Sequence, residues 1–110
     1  MQLDEYQKNA DSTAVYPGKY TLEGLIYVTL GLGEAGEFQN KVKKILRDDN
    51  NILTEERRDA LIDELGDILW YISQVSTELR INLSDVARLN NEKLARRRAE
   101  NKIKGDGDYR

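Results

Sequence analysis

Cysteine and histidine are both absent from this 110-residue sequence, and their absence narrows the chemistry that the chain can perform. Without cysteine there is no disulfide framework and no thiol nucleophile, and without histidine there is no imidazole base and no zinc finger. Helical di-iron sites are excluded as well, because they require Glu-x-x-His motifs. Any metal site must therefore be built from oxygen ligands, which suit Mg²⁺ or Mn²⁺.

Proline and long apolar runs are scarce too. Pro17 is the one proline, and it separates a short N-terminal segment from the main body of the chain. No apolar run is long enough for a signal peptide or a membrane span, so the sequence predicts a cytoplasmic protein with no membrane partner. The length predicts a single domain over 1–110, with a short helix and a Tyr-Pro turn at 1–19 and a tail at 99–110.

Apolar residues recur with helical spacing along most of the chain, and no β-hairpin signal interrupts them. The fold class is therefore predicted to be all-α. Thr54 can cap the third predicted helix, and Asn82 with Asp85 resembles a capping box for the last one. The four predicted helices cover residues 3–14, about 20–47, 55–79 and 83–98.

Two acidic pairs lie within these helices. Glu34 and Glu37 belong to the second helix, Glu64 and Asp67 to the third, and each pair reads acid, any residue, glycine, acid. Acids three residues apart project from one face of a helix, so each pair can present two carboxylates to one point. Both pairs border the apolar stripe of their helix on the same side, which predicts a helical hairpin with four carboxylates around one cavity. Such a cavity suits a divalent cation and the phosphate that the cation holds.

The spacing alone is a weak indication, since chance gives about three or four acid-x-x-acid pairs in a chain with this many acids. The third such pair, Glu56 and Asp59, lies in the first turn of a helix and is interpreted as structural. Gly36 and Gly66, inside the other two pairs, each weaken their helix by roughly 1 kcal/mol relative to alanine. These matched glycines predict close backbone approach or crowding around a ligand.

The segment 31–36 also matches the G-x-G-x-x-G fingerprint of dinucleotide-binding sites. That fingerprint requires a preceding strand and a βαβ unit, and the sequence predicts neither of them. A dinucleotide site is therefore rejected.

Basic and aromatic residues follow the acids along both helices. Ordinary i,i+4 pairing with Glu37 is the favoured interpretation of Lys41, whereas pairing and phosphate binding are equally good interpretations of Lys44. Tyr71 lies one turn after the second acidic pair, where its ring can contact a base or a sugar. Trp70 projects in another direction and is assigned to the core or to a subunit interface.

Together these motifs resemble the MazG-type nucleotide pyrophosphohydrolases, which belong to the all-α nucleoside triphosphate pyrophosphatase superfamily. The family pattern is E-x-x-E, a variable connection and E-x-x-D, and the 26 residues between Glu37 and Glu64 fit it. Some relatives carry another acid where this chain has Asn40, which leaves the four acids intact but puts any extra outer metal ligand in doubt. The resembling segments are 33–37, 64–71 and 90–94, and the match extends to 13–17, to 43–48 and to the Gly-Asp-rich end of the sequence.

The resemblance implies a four-helix-bundle-type fold with two long antiparallel helices, assembled as a homodimer or homotetramer. It implies hydrolysis of (deoxy)nucleoside triphosphates to the monophosphate and pyrophosphate, with one carboxylate as the general base. Asn90 and Lys93 match the substrate-binding N-x-x-K of the family, and Lys44 and Tyr71 complete the predicted substrate site. The implied ligands of Mg²⁺, or of Mn²⁺ in its place, are the four acids Glu34, Glu37, Glu64 and Asp67.

Two other functions stay open from the sequence. One is an enzyme of the same superfamily that is dedicated to a single nucleotide, dUTP or dCTP. The other is a non-enzymatic helical module that binds nucleic acid or protein through a basic end, since residues 88–110 carry eight basic and four acidic residues in a chain of net charge −3. The acids have no role in that module. Housecleaning or regulation of the nucleotide pool, with no nucleic-acid partner, is therefore the preferred prediction.

Overall fold

The computed structural model describes residues 1–48 and 50–100, and all regular secondary structure within that part of the chain is helical. The predicted all-α class is therefore confirmed, whereas the predicted tail beyond residue 100 lies outside the described residues. No helix in the described part is long and apolar enough to cross a membrane. The five helices are α1 (Leu3–Ser12), α2 (Leu22–Gly31), α3 (Glu34–Asp48), α4 (Glu55–Glu78) and α5 (Leu83–Ala99).

The long helix predicted from about residue 20 to residue 47 is wrong, because the chain divides there into α2 and α3. A tight turn at Leu32 and Gly33 separates them, and the N–H groups of these residues bond to carbonyl oxygens three positions earlier, at 3.2 and 3.1 Å. Glycine favours such a break because it is the weakest helix former after proline. As a consequence, Glu34 and Glu37 lie in the first turn of α3, where the helix dipole favours negative charge.

Helix α4 is the centre of the fold, since α1, α2, α3 and α5 all pack against it. Thr54 caps it as predicted, and the Thr54 hydroxyl accepts a hydrogen bond of 3.2 Å from the N–H of Arg57. Asn50 and Asn51, in the connection from α3, have φ angles of +53° and +64°. Asparagine tolerates this left-handed conformation better than most residues. The connection is short, so α3 folds back along α4 as the predicted hairpin.

The predicted capping box at Asn82 does not form, because no side chain of the box bonds to the first N–H groups of α5. Side chains of α1 bond to them instead. The amide oxygen of Gln7 accepts a hydrogen bond of 2.7 Å from the N–H of Leu83. A carboxylate oxygen of Asp4 accepts one of 3.0 Å from the N–H of Ser84. Tertiary contact with α1 therefore supplies the cap that local sequence was expected to supply.

The buried core is small for a chain of this length. Ala14, Tyr16 and Val28 form one buried cluster, with Trp70 and Val75 packed against it. The other buried apolar residues of the described part are Ala10, Ile45 and Leu83. The Cα radius of gyration is 16.9 Å, compared with about 13 Å for a compact domain of this size. Large apolar side chains are exposed on all five helices, and most of them lie on α2 and α4. They are Leu22, Ile26, Tyr27 and Leu30 on α2, Ile62, Leu65, Leu69 and Ile72 on α4, Val86 and Leu89 on α5, Leu3 on α1 and Val42 on α3.

Candidate active site

The two acidic pairs meet between the beginning of α3 and the middle of α4. Glu34 lies next to Glu37 on its own helix and next to Glu64 on the other one. The charge of Glu37, then desolvation, then the charge of Glu64 raise the pKa of Glu34 above its ordinary value. Carboxylates that raise one another's pKa lie close together without enough donors between them. The hairpin thus brings together three of the four predicted acids.

Asp67, the fourth acid, shares a cavity with Glu34. The cavity has a volume of about 440 Å³ and is also lined by Thr13, Trp70 and Tyr71. Burial and then the charge of Asp67 raise the pKa of Tyr6 in α1. The site therefore combines carboxylates from two helices with aromatic rings and with a segment that follows α1.

The four acids match a hard divalent cation in chemistry, because all their donor atoms are carboxylate oxygens. Oε2 of Glu64 is buried and has no hydrogen-bond partner among the described residues, so a cation there would satisfy it. As the side chains stand, no group of three acids in the described part of the chain is arranged to hold a metal ion. The acids fit the cation in the chemistry of their donor atoms.

Lys41 pairs across the hairpin, and the interpretation of Lys41 as the i,i+4 partner of Glu37 is wrong. Its ammonium forms an ion pair and a hydrogen bond with Oε1 of Glu64 on α4. That hydrogen bond, together with the charges of Glu64, Glu37 and Glu34, raises the pKa of Lys41. Sequence reasoning missed this contact because spacing along α3 does not reveal which residues of α4 lie opposite.

Tyr71 is held in place by its surroundings. A Cβ atom added to Gly31 would lie 2.1 Å from the ring atom Cε1 of Tyr71, so only glycine fits at that position. The Trp70 ring packs edge-on against Tyr71, with ring centroids 5.2 Å apart and planes at 90°. Gly31 belongs to the segment that matches a dinucleotide fingerprint, and the structure gives it a packing role next to the site instead.

Trp70 contributes to both the core and the site. It packs against the buried core, as predicted, and it also lines the cavity that contains Glu34 and Asp67. Its indole N–H donates a hydrogen bond of 3.1 Å to the Thr13 hydroxyl. Thr13 was not predicted as a site residue, although it belongs to the segment that resembles the family before the first long helix.

The two glycines inside the acidic pairs have open space around them. A Cβ at Gly36 or at Gly66 would meet no atom within 4 Å. Close backbone approach within this chain is therefore the wrong explanation for either glycine. Crowding around a bound ligand stays a prediction.

A polar network continues the same face of α4 beyond Tyr71. The buried side-chain amide of Gln74 donates to Asp11 at 3.2 Å and to the Tyr16 hydroxyl at 3.3 Å. The Tyr16 hydroxyl in turn donates to Glu78. Burial and the hydrogen bond to Glu78 raise the pKa of Tyr16 to about 12. This network holds the segment after α1, which includes Thr13, against α4.

The other predicted substrate residues lie apart from the acid cavity. Lys44 lines a cavity of about 450 Å³ farther along α3, together with Asn40, Lys43 and Arg47. Lys44 therefore lies on the same helix as Glu34 and Glu37, beyond the acidic turn.

Asn90 and Lys93 line a groove of about 710 Å³ that is largely apolar and is formed by α1, α4 and α5. Leu69 of α4 contributes to this groove, and it lies about 200° around the helix from Asp67. Within one chain, the structure therefore does not bring Asn90 and Lys93 together with the acids.

Residues 23–101 match the family model of the MazG nucleotide pyrophosphohydrolase domain. The chain belongs to the MazG family. The match includes both acidic pairs, Lys41, Tyr71 and the N-x-x-K of α5. This MazG chain is also 50% identical over 114 residues to the gene 37 protein of Mycobacterium phage L5, in an alignment that covers all of both chains. No solved structure matches it.

Proposed function

We propose that this MazG protein hydrolyses (deoxy)nucleoside triphosphates to the monophosphate and pyrophosphate in a Mg²⁺-dependent reaction that cleans or regulates the cytoplasmic nucleotide pool. The observation that carries the proposal is the cavity in which Glu34 and Asp67 lie beside Trp70 and Tyr71. Acids for a metal–phosphate group and rings for a nucleoside lie side by side there. Membership of the MazG family supports the same class of reaction.

The proposed metal ligands are the four acids, Glu34, Glu37, Glu64 and Asp67. Mg²⁺, or Mn²⁺ in its place, would supply a Lewis acid that polarises phosphoryl oxygens and acidifies a bound water. Without a cation these carboxylates would repel a triphosphate, so the acids alone do not explain substrate binding.

The chain's own residues have three further tasks in this proposal. One of the carboxylates accepts the proton of the attacking water as general base. Tyr71, fixed between Gly31 and Trp70, offers a ring face or edge to the base or sugar. Lys44, farther along α3, neutralises charge on the outer phosphates.

The proposed assembly is a homodimer or homotetramer. The small core and the apolar side chains exposed on α2, α4 and α5 favour burial between subunits. Asn90 and Lys93 border an apolar groove that such a subunit could cover, so their proposed role is substrate binding within the assembly. Light scattering at micromolar concentration tests this, and a monomeric mass would contradict it.

The proposed activity is tested by measuring pyrophosphate release from the eight common (deoxy)nucleoside triphosphates and dUTP. Each reaction is run with Mg²⁺ and with excess chelator. We expect release only with Mg²⁺, accompanied by the monophosphate. Folded protein that releases no pyrophosphate from any nucleotide would contradict the proposal.

The same panel distinguishes a general enzyme from one dedicated to dUTP or dCTP. A dedicated enzyme would show one specificity constant far above the others. A general housecleaning enzyme would show comparable constants for several nucleotides.

A further inference from the structure

A lysine lies among the acids of the candidate active site. The Lys41 ammonium pairs with Oε1 of Glu64, and the charges of Glu37 and Glu34 also act on it. The Glu64 side chain is only 17% exposed, whereas that of Lys41 is 41% exposed. The carboxylate is therefore fixed within the hairpin, and the ammonium reaches it from the more open side.

The neighbouring basic residues of α3 are placed differently. Lys43 and Lys44 line the outer cavity with Asn40 and Arg47, not the cavity that contains Asp67. The position of Lys41 is thus specific to its place on the helix and is not a general property of this basic segment. Lys43, two residues away on α3, is a natural control for Lys41.

We propose that Lys41 is the internal counter-ion of the acid cluster and competes with the divalent cation for Glu64. The proposal rests on the proposed metal site and assigns a role to a residue outside its ligand set. A cation held by Glu64 would share that carboxylate with the ammonium already paired to Oε1. A positive charge left nearby would also repel the incoming cation.

Lys41 therefore has two opposite effects on the site. It offsets repulsion among Glu34, Glu37 and Glu64, and so it stabilises the hairpin. It also raises the concentration of free cation at which the site fills. Removal of its charge should weaken the fold in chelator and strengthen cation binding.

The test uses the full-length protein with three substitutions: Lys41→Met, Lys41→Arg and the control Lys43→Met. Binding of Mn²⁺ alone is measured by electron paramagnetic resonance at fixed ionic strength, and thermal unfolding is followed in excess chelator. We expect Lys41→Met to bind Mn²⁺ about three- to tenfold more tightly than the wild type, because it removes a charge paired with a ligand. Lys43→Met should bind within about twofold of the wild type, because its charge lies farther away.

Unfolding in chelator gives the second readout. The Lys41→Met midpoint should fall by about 3–6 °C, a shift that corresponds to losing one partly buried ion pair in a small domain. Lys43→Met should change it by less. Lys41→Arg keeps the positive charge. Its unfolding midpoint should therefore equal that of the wild type, and its affinity for Mn²⁺ should not exceed that of the wild type.

Any one of three results would overturn the inference. The first is that Lys41→Met binds Mn²⁺ no more tightly than the wild type, and the second is that Lys41→Arg binds it as tightly as Lys41→Met. The third is that neither the wild type nor Lys41→Met binds Mn²⁺. Failure of the proposed function looks different. If the wild type hydrolyses no nucleotide but Lys41→Met still binds Mn²⁺ more tightly, the proposed role of Lys41 is supported. The proposed hydrolase activity is then contradicted.

Discussion

The two halves of one face of α4 use carboxylates in opposite ways. In the first half, Glu64 faces the acids of α3, and its partner is Lys41. In the second half, one oxygen of Glu78 accepts hydrogen bonds from the Tyr16 hydroxyl and, at 3.0 Å, from the N–H of Tyr20. Each glutamate also has one oxygen without a hydrogen-bond partner among the described residues. The neighbours differ, because Glu78 receives two donors from residues 16–20, whereas Glu64 receives the Lys41 ammonium and also lies beside another acid, Glu34.

This difference distinguishes Glu78, whose donors belong to the fold, from Glu64, which we propose as a metal ligand. A buried carboxylate that receives protein donors contributes to stability, and its removal leaves those donors unpaired. A carboxylate set among other carboxylates gains more from an added cation than from the fold. Position on the helix face does not separate the two cases, whereas the chemistry of the opposing element does.

The largest expected effect comes from neutralising acids of the first half. Glu37→Gln or Asp67→Asn should lower the turnover of the preferred nucleotide about a thousandfold, because a metal ligand and its charge are lost. Steady-state kinetics with saturating Mg²⁺ measure this, and circular dichroism should show unchanged helicity. Glu78→Gln is the matched control in the second half, with turnover within about twofold of the wild type. Undiminished turnover in both site variants would reject the assigned acids.

The next effect concerns the glycine that accommodates Tyr71. Gly31→Ala should destabilise the fold by about 1–3 kcal/mol, because its Cβ would overlap the Tyr71 ring and force it to move. Gly36→Ala places a Cβ in open space and should stabilise α3 by about 0.5–1 kcal/mol. Urea unfolding of both variants measures the two changes. Equal effects would show that Gly31 does not constrain Tyr71.

A smaller effect is expected from the network of the second half. Tyr16→Phe removes the donor to Glu78 and should lower the free energy of unfolding by about 1–2 kcal/mol at neutral pH. The pKa of Tyr16 is raised to about 12 in the folded protein, against about 10 when unfolded. Its contribution is therefore present below pH 10 and is lost as the pH rises from 10 to 12.

Urea unfolding between pH 8 and pH 11.5 checks this prediction. The gap in stability between wild type and Tyr16→Phe should narrow as the pH rises above 10. A gap that stays constant would show that the Tyr16 hydroxyl does not titrate in a shifted environment.

The sequence predicts those features that depend on local spacing. Apolar periodicity and the Thr54 cap locate α4. The i,i+3 spacing of the acids places each pair on one helix face, at the border of the apolar stripe. The hairpin that brings Glu34 to Glu64 follows from two matched stripes joined by a short polar connection. These inferences need no knowledge of distant contacts.

The features that were missed depend on residues far apart in sequence. The cap of α5 comes from Asp4 and Gln7 of α1, far from α5 in sequence. The partner of Lys41 is set by the alignment of α3 against α4. Local spacing carries no information on such alignments, so the sequence suggested nearer partners in each case.

The most direct test of the central claim is phosphorus NMR of the products formed by wild type and Asp67→Asn from the preferred nucleotide with Mg²⁺. The proposed function predicts that the wild type yields pyrophosphate and the nucleoside monophosphate in equal amounts, and that Asp67→Asn yields neither. Orthophosphate with the nucleoside diphosphate, or equal product from both proteins, would contradict a pyrophosphohydrolase built on these acids.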